Sequence, residues 1–92
     1  MRVLLVKPYG LVSDIEIKND LETLQKYVDG YIEVIYRGDY AFIVNEEGRL
    51  KNLPENIGGL VGNIIIARYN DEDFESLTDD DVAKLFFEII GE

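Results

Sequence analysis

The sequence predicts one small α+β domain over residues 1–92, with about five strands in a mixed, mostly antiparallel sheet and two helices, in the order β-β-α-β-β-β-α. Three observations predict it. Val3-Leu4-Leu5-Val6 and Ile64-Ile65-Ile66-Ala67 are continuous apolar runs of strand length, as strands covered on both faces require. Two other segments carry helical apolar spacing behind a helix-start residue. Glycine and proline break what lies between into short connections, leaving no internal repeat and no linker.

The elements follow in order. Arg2–Lys7 reads as a strand, and Pro8-Tyr9-Gly10 as a turn. Val12–Lys18 alternates, with Ile15 and Ile17 on one side and Asp14, Glu16 and Lys18 on the other, as in a half-exposed strand. Asn19 is the expected N-cap of the first helix, with Glu22 at the capping-box position. Leu21, Leu24 and Val28 form its apolar stripe, and Gly30 suits the left-handed residue that ends it. Tyr31–Tyr36 and Tyr40–Val44 read as strands joined by a hairpin-length loop, Arg37-Gly38-Asp39. Glu46-Glu47-Gly48 turns the chain again, with Gly48 expected at positive φ. Lys51–Gly62 is the least regular segment, and Ile64–Tyr69 is the last strand expected. Thr78 caps the second helix, Asp79, Asp80 and Asp81 place negative charge at its positive end, and Leu77 with Val82 occupy the staple positions. Val82, Leu85, Phe86 and Ile89 face inward. Ala83, Phe87 and Ile90 add apolar area on other sides, so the helix either wedges into the domain or packs against another copy; self-association is the expectation, with Phe86, Phe87 and Ile90 as the contact of a homo-oligomer.

Composition excludes more than it selects. Histidine and cysteine are both missing, which removes the commonest general base, the commonest metal ligand and any disulfide or thiolate site. The net charge is −10, and residues 70–92 hold nine acids against the single base Lys84. Direct binding to nucleic acid phosphates is therefore disfavoured. No stretch has a leader's pattern or a membrane span's length, so the expectation is a soluble, cytoplasmic protein without membrane contact.

One stretch is distinctive: Tyr40-Ala-Phe-Ile-Val-Asn-Glu-Glu-Gly-Arg-Leu-Lys-Asn-Leu-Pro-Glu-Asn56. Its Asn45-Glu46-Glu47-Gly48-Arg49-Leu50 and Leu53-Pro54-Glu55-Asn56, with Val28–Val34 before and Gly62–Ile66 and Asp71-Glu72-Asp73-Phe74 after, resemble a small domain family of phages and mobile elements. That family is known only as a domain of unknown function. The resemblance implies a phage, prophage or plasmid setting, hence a bacterial host cytoplasm, and no activity.

Four patterns are candidates for chemistry. Glu46-Glu47 could pair carboxylates, but a solvated turn tip explains them. Asn70–Asp81 is rich in acids, yet counting from Asp71 the sixth and twelfth positions are Ser76 and Val82 rather than the Gly and Glu of a calcium loop. Gly58-Gly59-Leu60-Val61-Gly62 has the glycines of a phosphate cradle but precedes a strand and lacks Lys-Ser/Thr. Tyr36-Arg37 and Arg68-Tyr69 each set a guanidinium beside an aromatic ring at a strand end, a combination that can hold phosphate and stack on a base.

The expectation is therefore a non-enzymatic binding protein without cofactor or metal. Its first form sequesters a small nucleotide-derived signal in an oligomer-interface pocket of Tyr36, Arg37, Arg68, Tyr69, Gly58, Gly59 and Asn56, as a phage counter-defence. The alternative is an acidic nucleic-acid mimic or inhibitor that occupies a basic host DNA-binding or defence protein.

Overall fold

A computed structural model describes residues 1–90, the side chain of Ile90 excepted. Six strands form one sheet: β1 (Arg2–Lys7), β2 (Leu11–Glu16), β3 (Ile32–Arg37), β4 (Tyr40–Asn45), β5 (Ile64–Tyr69) and the two-residue β6 (Phe74–Glu75). Helix α1 (Leu21–Val28) follows β2 and helix α2 (Asp79–Ile90) follows β6. The expected order is the observed one, with β6 the addition. The strands lie in the order β2-β1-β5-β4-β3, with β6 on the end of β5. Every ladder is antiparallel, so the parallel pairing that a mixed sheet would contain is not found among the described residues.

Strand side chains alternate between faces, and each face has its own helix. Leu4, Val6, Tyr40, Val44, Ile64 and Ile66 pack with Leu77, Val82 and Leu85 at α2. Val3, Leu5, Ile43, Ile65 and Ala67 pack with Leu24 and Val28 of α1. Burial on both faces is why the two apolar runs do not alternate.

The caps differ from expectation at α1 and agree at α2. Asp20, not Asn19, is the N-cap of α1 and accepts a bond from the Thr23 N–H at 2.8 Å. Asn19 lies one residue outside and donates to the Phe74 carbonyl instead. Leu21, expected on the apolar stripe, is exposed at the first position of the helix, and Leu24 and Val28 are the residues α1 buries. The left-handed residue is Asp29 (φ 61°). At α2, Thr78 N–H donates to Asp81 at 2.8 Å and the Asp81 N–H donates to Thr78 Oγ1 at 3.1 Å, a reciprocal capping box. Leu77 and Val82 are both buried, as a staple requires.

The 45–62 stretch is held by its asparagines. Asn45 is 4% exposed. Its Nδ2 donates to the carbonyls of Val28 and Asp29 at 3.0 and 3.1 Å, and its Oδ1 accepts from Glu47 N–H at 2.7 Å. It thereby satisfies carbonyls at the end of α1 that the helix leaves without partners. Asn56 Nδ2 donates to the carbonyls of Val6 and Gly62, at 2.9 and 2.7 Å. Gly48 is not at positive φ. It is needed for space, since a Cβ there would sit 2.7 Å from Val61 Cγ2. No described helix is long and apolar enough to cross a membrane.

Candidate functional site

Antiparallel register decides where the two Arg–Tyr pairs go. Arg37 pairs with Tyr40, Tyr40 with Arg68, and Arg68 with Glu75, so these four lie in one row on the α2 face. Tyr36 pairs with Ala41, Ala41 with Ala67, and Tyr69 with Phe74, a set on the α1 face. Neighbours along a strand point to opposite sides, so each arginine is separated by the sheet from the tyrosine beside it in sequence.

On the α2 face the arginines are engaged within the domain. Arg68 donates to Asp81 Oδ1 at 2.7 Å, and Tyr40 OH donates to the same oxygen at 2.8 Å. Asp81 Oδ2 accepts from the N–H and hydroxyl of Thr78 at 2.8 and 2.9 Å. Asp81 is 6% exposed. Burial pushes its carboxyl up, but the bonds from Thr78, Tyr40 and Arg68 outweigh that and hold it at about 2. Burial, followed by the bond to Asp81, pushes the Tyr40 hydroxyl up to about 12. The network is fully satisfied and anchors the start of α2 to β4 and β5.

Arg37 lies 5.4 Å over the Phe42 ring and donates to the Gly58 carbonyl at 3.0 Å, while Arg49 donates to the Gly59 carbonyl at 2.6 Å. The structure thus brings Arg37 and Gly58 together, but the glycine loop meets arginine through its carbonyls. A phosphate cradle works through amide N–H groups instead. Asn56 spends its amide on Val6 and Gly62 and its Oδ1 on the Ile57 N–H.

The tyrosines do meet. The rings of Tyr36 and Tyr69 stand edge to face with centroids 4.6 Å apart. They line a hollow of about 210 Å³ with Phe74 and the loop residues Asn70, Asp71, Glu72 and Asp73. The loop is built by Asn70, whose Oδ1 accepts from the N–H groups of Glu72 and Asp73 at 2.7 and 2.9 Å. Tyr69 is fixed by its hydroxyl, which donates to the Gly38 carbonyl at 2.9 Å. Neither Asp71 nor Glu72 forms an ion pair among the described residues. Aromatic faces carry negative charge density, and the carboxylates beside them add to it. The hollow thus sets two tyrosine rings beside an acidic loop.

Sequence reasoning gave Tyr36 and Tyr69 but missed Phe74 and the loop as their companions, because β6 is only two residues long. It also placed Asp81 only as a helix-end charge. The Thr-x-x-Asp spacing was the available signal for the capping box, though nothing in it pointed to Tyr40 or Arg68. Of the expected oligomer contacts, Phe86 packs partly against the core and Phe87 is 80% exposed. The Ile90 side chain lies outside the described residues. The described residues contain no cluster of three or more acidic side chains able to hold a metal ion.

A family model described as a domain of unknown function, DUF3846, matches residues 1–89. The chain belongs to that family. The match spans both helices and the whole sheet, so the network and the hollow are parts of one DUF3846 domain. Comparison with curated proteins and with solved structures brings no match.

Proposed function

We propose that this DUF3846 domain is a binding module that docks onto a basic surface of another protein through the hollow of Tyr36, Tyr69, Phe74 and the Asn70–Asp73 loop. One observation carries the reading: two tyrosine rings at 4.6 Å sit beside the carboxylates of an acidic loop in one concavity. An arginine or lysine side chain entering it meets tyrosine rings and acidic residues together. At an exposed site the ring contributes about 0.5–1 kcal/mol. An exposed ion pair adds roughly 0.2–1 kcal/mol. One side chain is therefore held weakly, and useful affinity needs several basic residues spread over the acidic surface. The net charge of −10 steers such a partner and speeds its encounter.

Binding rather than catalysis is proposed because the chain has no His or Cys, and its lowered carboxylates serve the fold: Asp81 in the α2 network, Asp14 with Arg2 and Asp20 as the α1 cap. A bacterial host protein as the target is an extension that rests on the phage and mobile-element setting the sequence resemblance implies. The nucleotide-signal reading has less support: Arg37 and Arg68 face away from Tyr36 and Tyr69 and already hold internal acceptors.

The test is calorimetric titration with a nine-residue oligoarginine peptide at low and high salt, beside cyclic dinucleotides and ADP-ribose. The reading expects micromolar to millimolar peptide binding that weakens with salt and drops severalfold in Tyr36→Ala and in Asp71→Asn/Glu72→Gln. Heat from a nucleotide instead, or peptide binding indifferent to both variants, overturns it.

A further inference from the structure

The sheet ends in two edges, β2 and β3, whose outer backbone groups have no strand partner among the described residues. Such an edge is a template for another strand unless something guards it. The two differ in charge. The charges of β2 are Asp14 and Glu16, already in ion pairs with Arg2 and the Met1 amino group, so this edge offers no opposite-charge pair to a second copy of itself. The β3 strand, Ile-Glu-Val-Ile-Tyr-Arg over Ile32–Arg37, carries one charge of each sign.

We infer that this protein forms a two-fold dimer by antiparallel pairing of β3 with β3 of a second copy, centred on Ile35, independently of the function proposed above. A two-fold axis through the sheet keeps each side chain on its own face, so pairing residues must share parity. Centring on Ile35 then sets Ile35 opposite Ile35, Val34 opposite Tyr36, and Glu33 opposite Arg37. Each Glu33 then lies beside Arg37 of the second copy, whose guanidinium donates one N–H to the Gly58 carbonyl and keeps others for the carboxylate, and no like charges face each other across the seam.

Backbone direction agrees with this register. Ile32 pairs with Asn45, so Tyr31 stands opposite Glu46, and the Glu46 N–H donates to the Tyr31 carbonyl at 2.8 Å. Tyr31 therefore turns its backbone groups toward β4, and by alternation so do Glu33, Ile35 and Arg37. Ile32, Val34 and Tyr36 turn theirs outward. The Val34–Tyr36 pairs then supply four hydrogen bonds across the seam. Ile35–Ile35 and Glu33–Arg37 fall at the closer, non-hydrogen-bonded positions, where side chains interact most. Beside the seam, Leu50 is 82% exposed and shares with Ile35, Leu60, Glu33, Glu46 and Arg49 the wall of a hollow of about 250 Å³, a mixed polar and apolar surface next to the pairing strand.

This surface also differs from α2 as a meeting place. Among the described residues, the outer side of α2 offers Phe87 as its one exposed large apolar side chain, and scattered surface apolar residues are ordinary. Pairing at β3 would bring the two Tyr36 residues to diagonal positions, roughly 8 Å apart at their backbones, and join the two aromatic hollows along one surface.

The experiment is sedimentation equilibrium of the full chain from micromolar to about 100 µM, with circular dichroism to confirm folding of each variant. The wild type is expected to reach twice the 10.5 kDa chain mass. Glu33→Arg and Arg37→Glu each put like charges opposite one another twice and should weaken the dimer about 10- to 100-fold. The double variant restores opposite-charge pairs and should recover it. Val34→Pro removes an outward N–H that the folded chain does not use, so it should leave a folded monomer. A monomeric wild type at 100 µM overturns the inference. So does a dimer that ignores both the charge reversals and Val34→Pro, which would place the contact elsewhere.

Discussion

Replacing Asp81 by Asn alters one atom of the buried network and leaves its shape. The Asp81 carboxylate accepts four bonds, from Tyr40 OH, Arg68, Thr78 N–H and Thr78 OH, at 2.7–2.9 Å. Asparagine keeps one acceptor oxygen, which can serve Tyr40 and Arg68. Its amide then faces Thr78, whose hydroxyl can turn and accept but whose N–H is left without a partner. A lost bond between an N–H and a carboxylate is worth about 1.5–3 kcal/mol. Arg68 also loses its counter-ion, and its half-buried position limits that cost to about 1 kcal/mol. The total is roughly 3 kcal/mol against the 5–14 kcal/mol expected for a chain this size, so the variant folds but melts roughly 12–24 °C lower.

The pH dependence makes the reasoning specific. The Asp81 carboxyl is depressed from 3.8 to about 2 on folding. A depressed acid contributes stability that is complete above its unfolded value and is lost as pH falls through the folded one. The wild-type advantage over Asp81→Asn should therefore be constant above about pH 5 and shrink by roughly 2 kcal/mol between pH 4 and pH 2. Urea unfolding monitored by circular dichroism at several pH values measures it. Stabilities within 0.5 kcal/mol at pH 7, or a difference that stays flat down to pH 2, would refute the account of the network.

Other substitutions test other parts of the fold. Asn45→Ala strips partners from the Val28 and Asp29 carbonyls and the Glu47 N–H, and should cost about 2–4 kcal/mol in urea unfolding. Gly48→Ala places a methyl group 2.7 Å from Val61 Cγ2 and should cost about 1–3 kcal/mol by the same measurement. Tyr9 is 86% exposed and held at φ 69°, so Tyr9→Asn should raise the melting temperature by a few degrees, corresponding to about 0.5–1 kcal/mol.

Much of this fold is legible because local signals agree with the global arrangement. The runs Val3–Val6 and Ile64–Ala67 announce β1 and β5 as strands buried on both faces, and they pair at the centre of the sheet. Thr78, Leu77 and Val82 announce the start of α2, where capping chemistry and staple geometry act within a few residues. What escaped was non-local or a near tie. Asn19 and Asp20 are both good caps, and tertiary packing chose between them. Tyr36-Arg37 looks like a unit in one dimension, yet strand alternation sends the two side chains to opposite faces. That consequence was available from the strand assignment itself. The pairing of Tyr36 with Tyr69 depends on the β3–β4–β5 order, which no local pattern encodes. Asn45 reads as part of a turn, and only the packing of α1 against β4 reveals it as the partner of that helix's free carbonyls.

The most direct measurement of the central claim is amide chemical-shift mapping of the isotope-labelled protein during titration with an oligoarginine peptide. The account predicts shifts concentrated at Tyr36 and Tyr69–Phe74 that fade as salt is raised. Shifts centred on the Arg37–Gly58 side of the sheet, or no shifts at millimolar peptide, would contradict it.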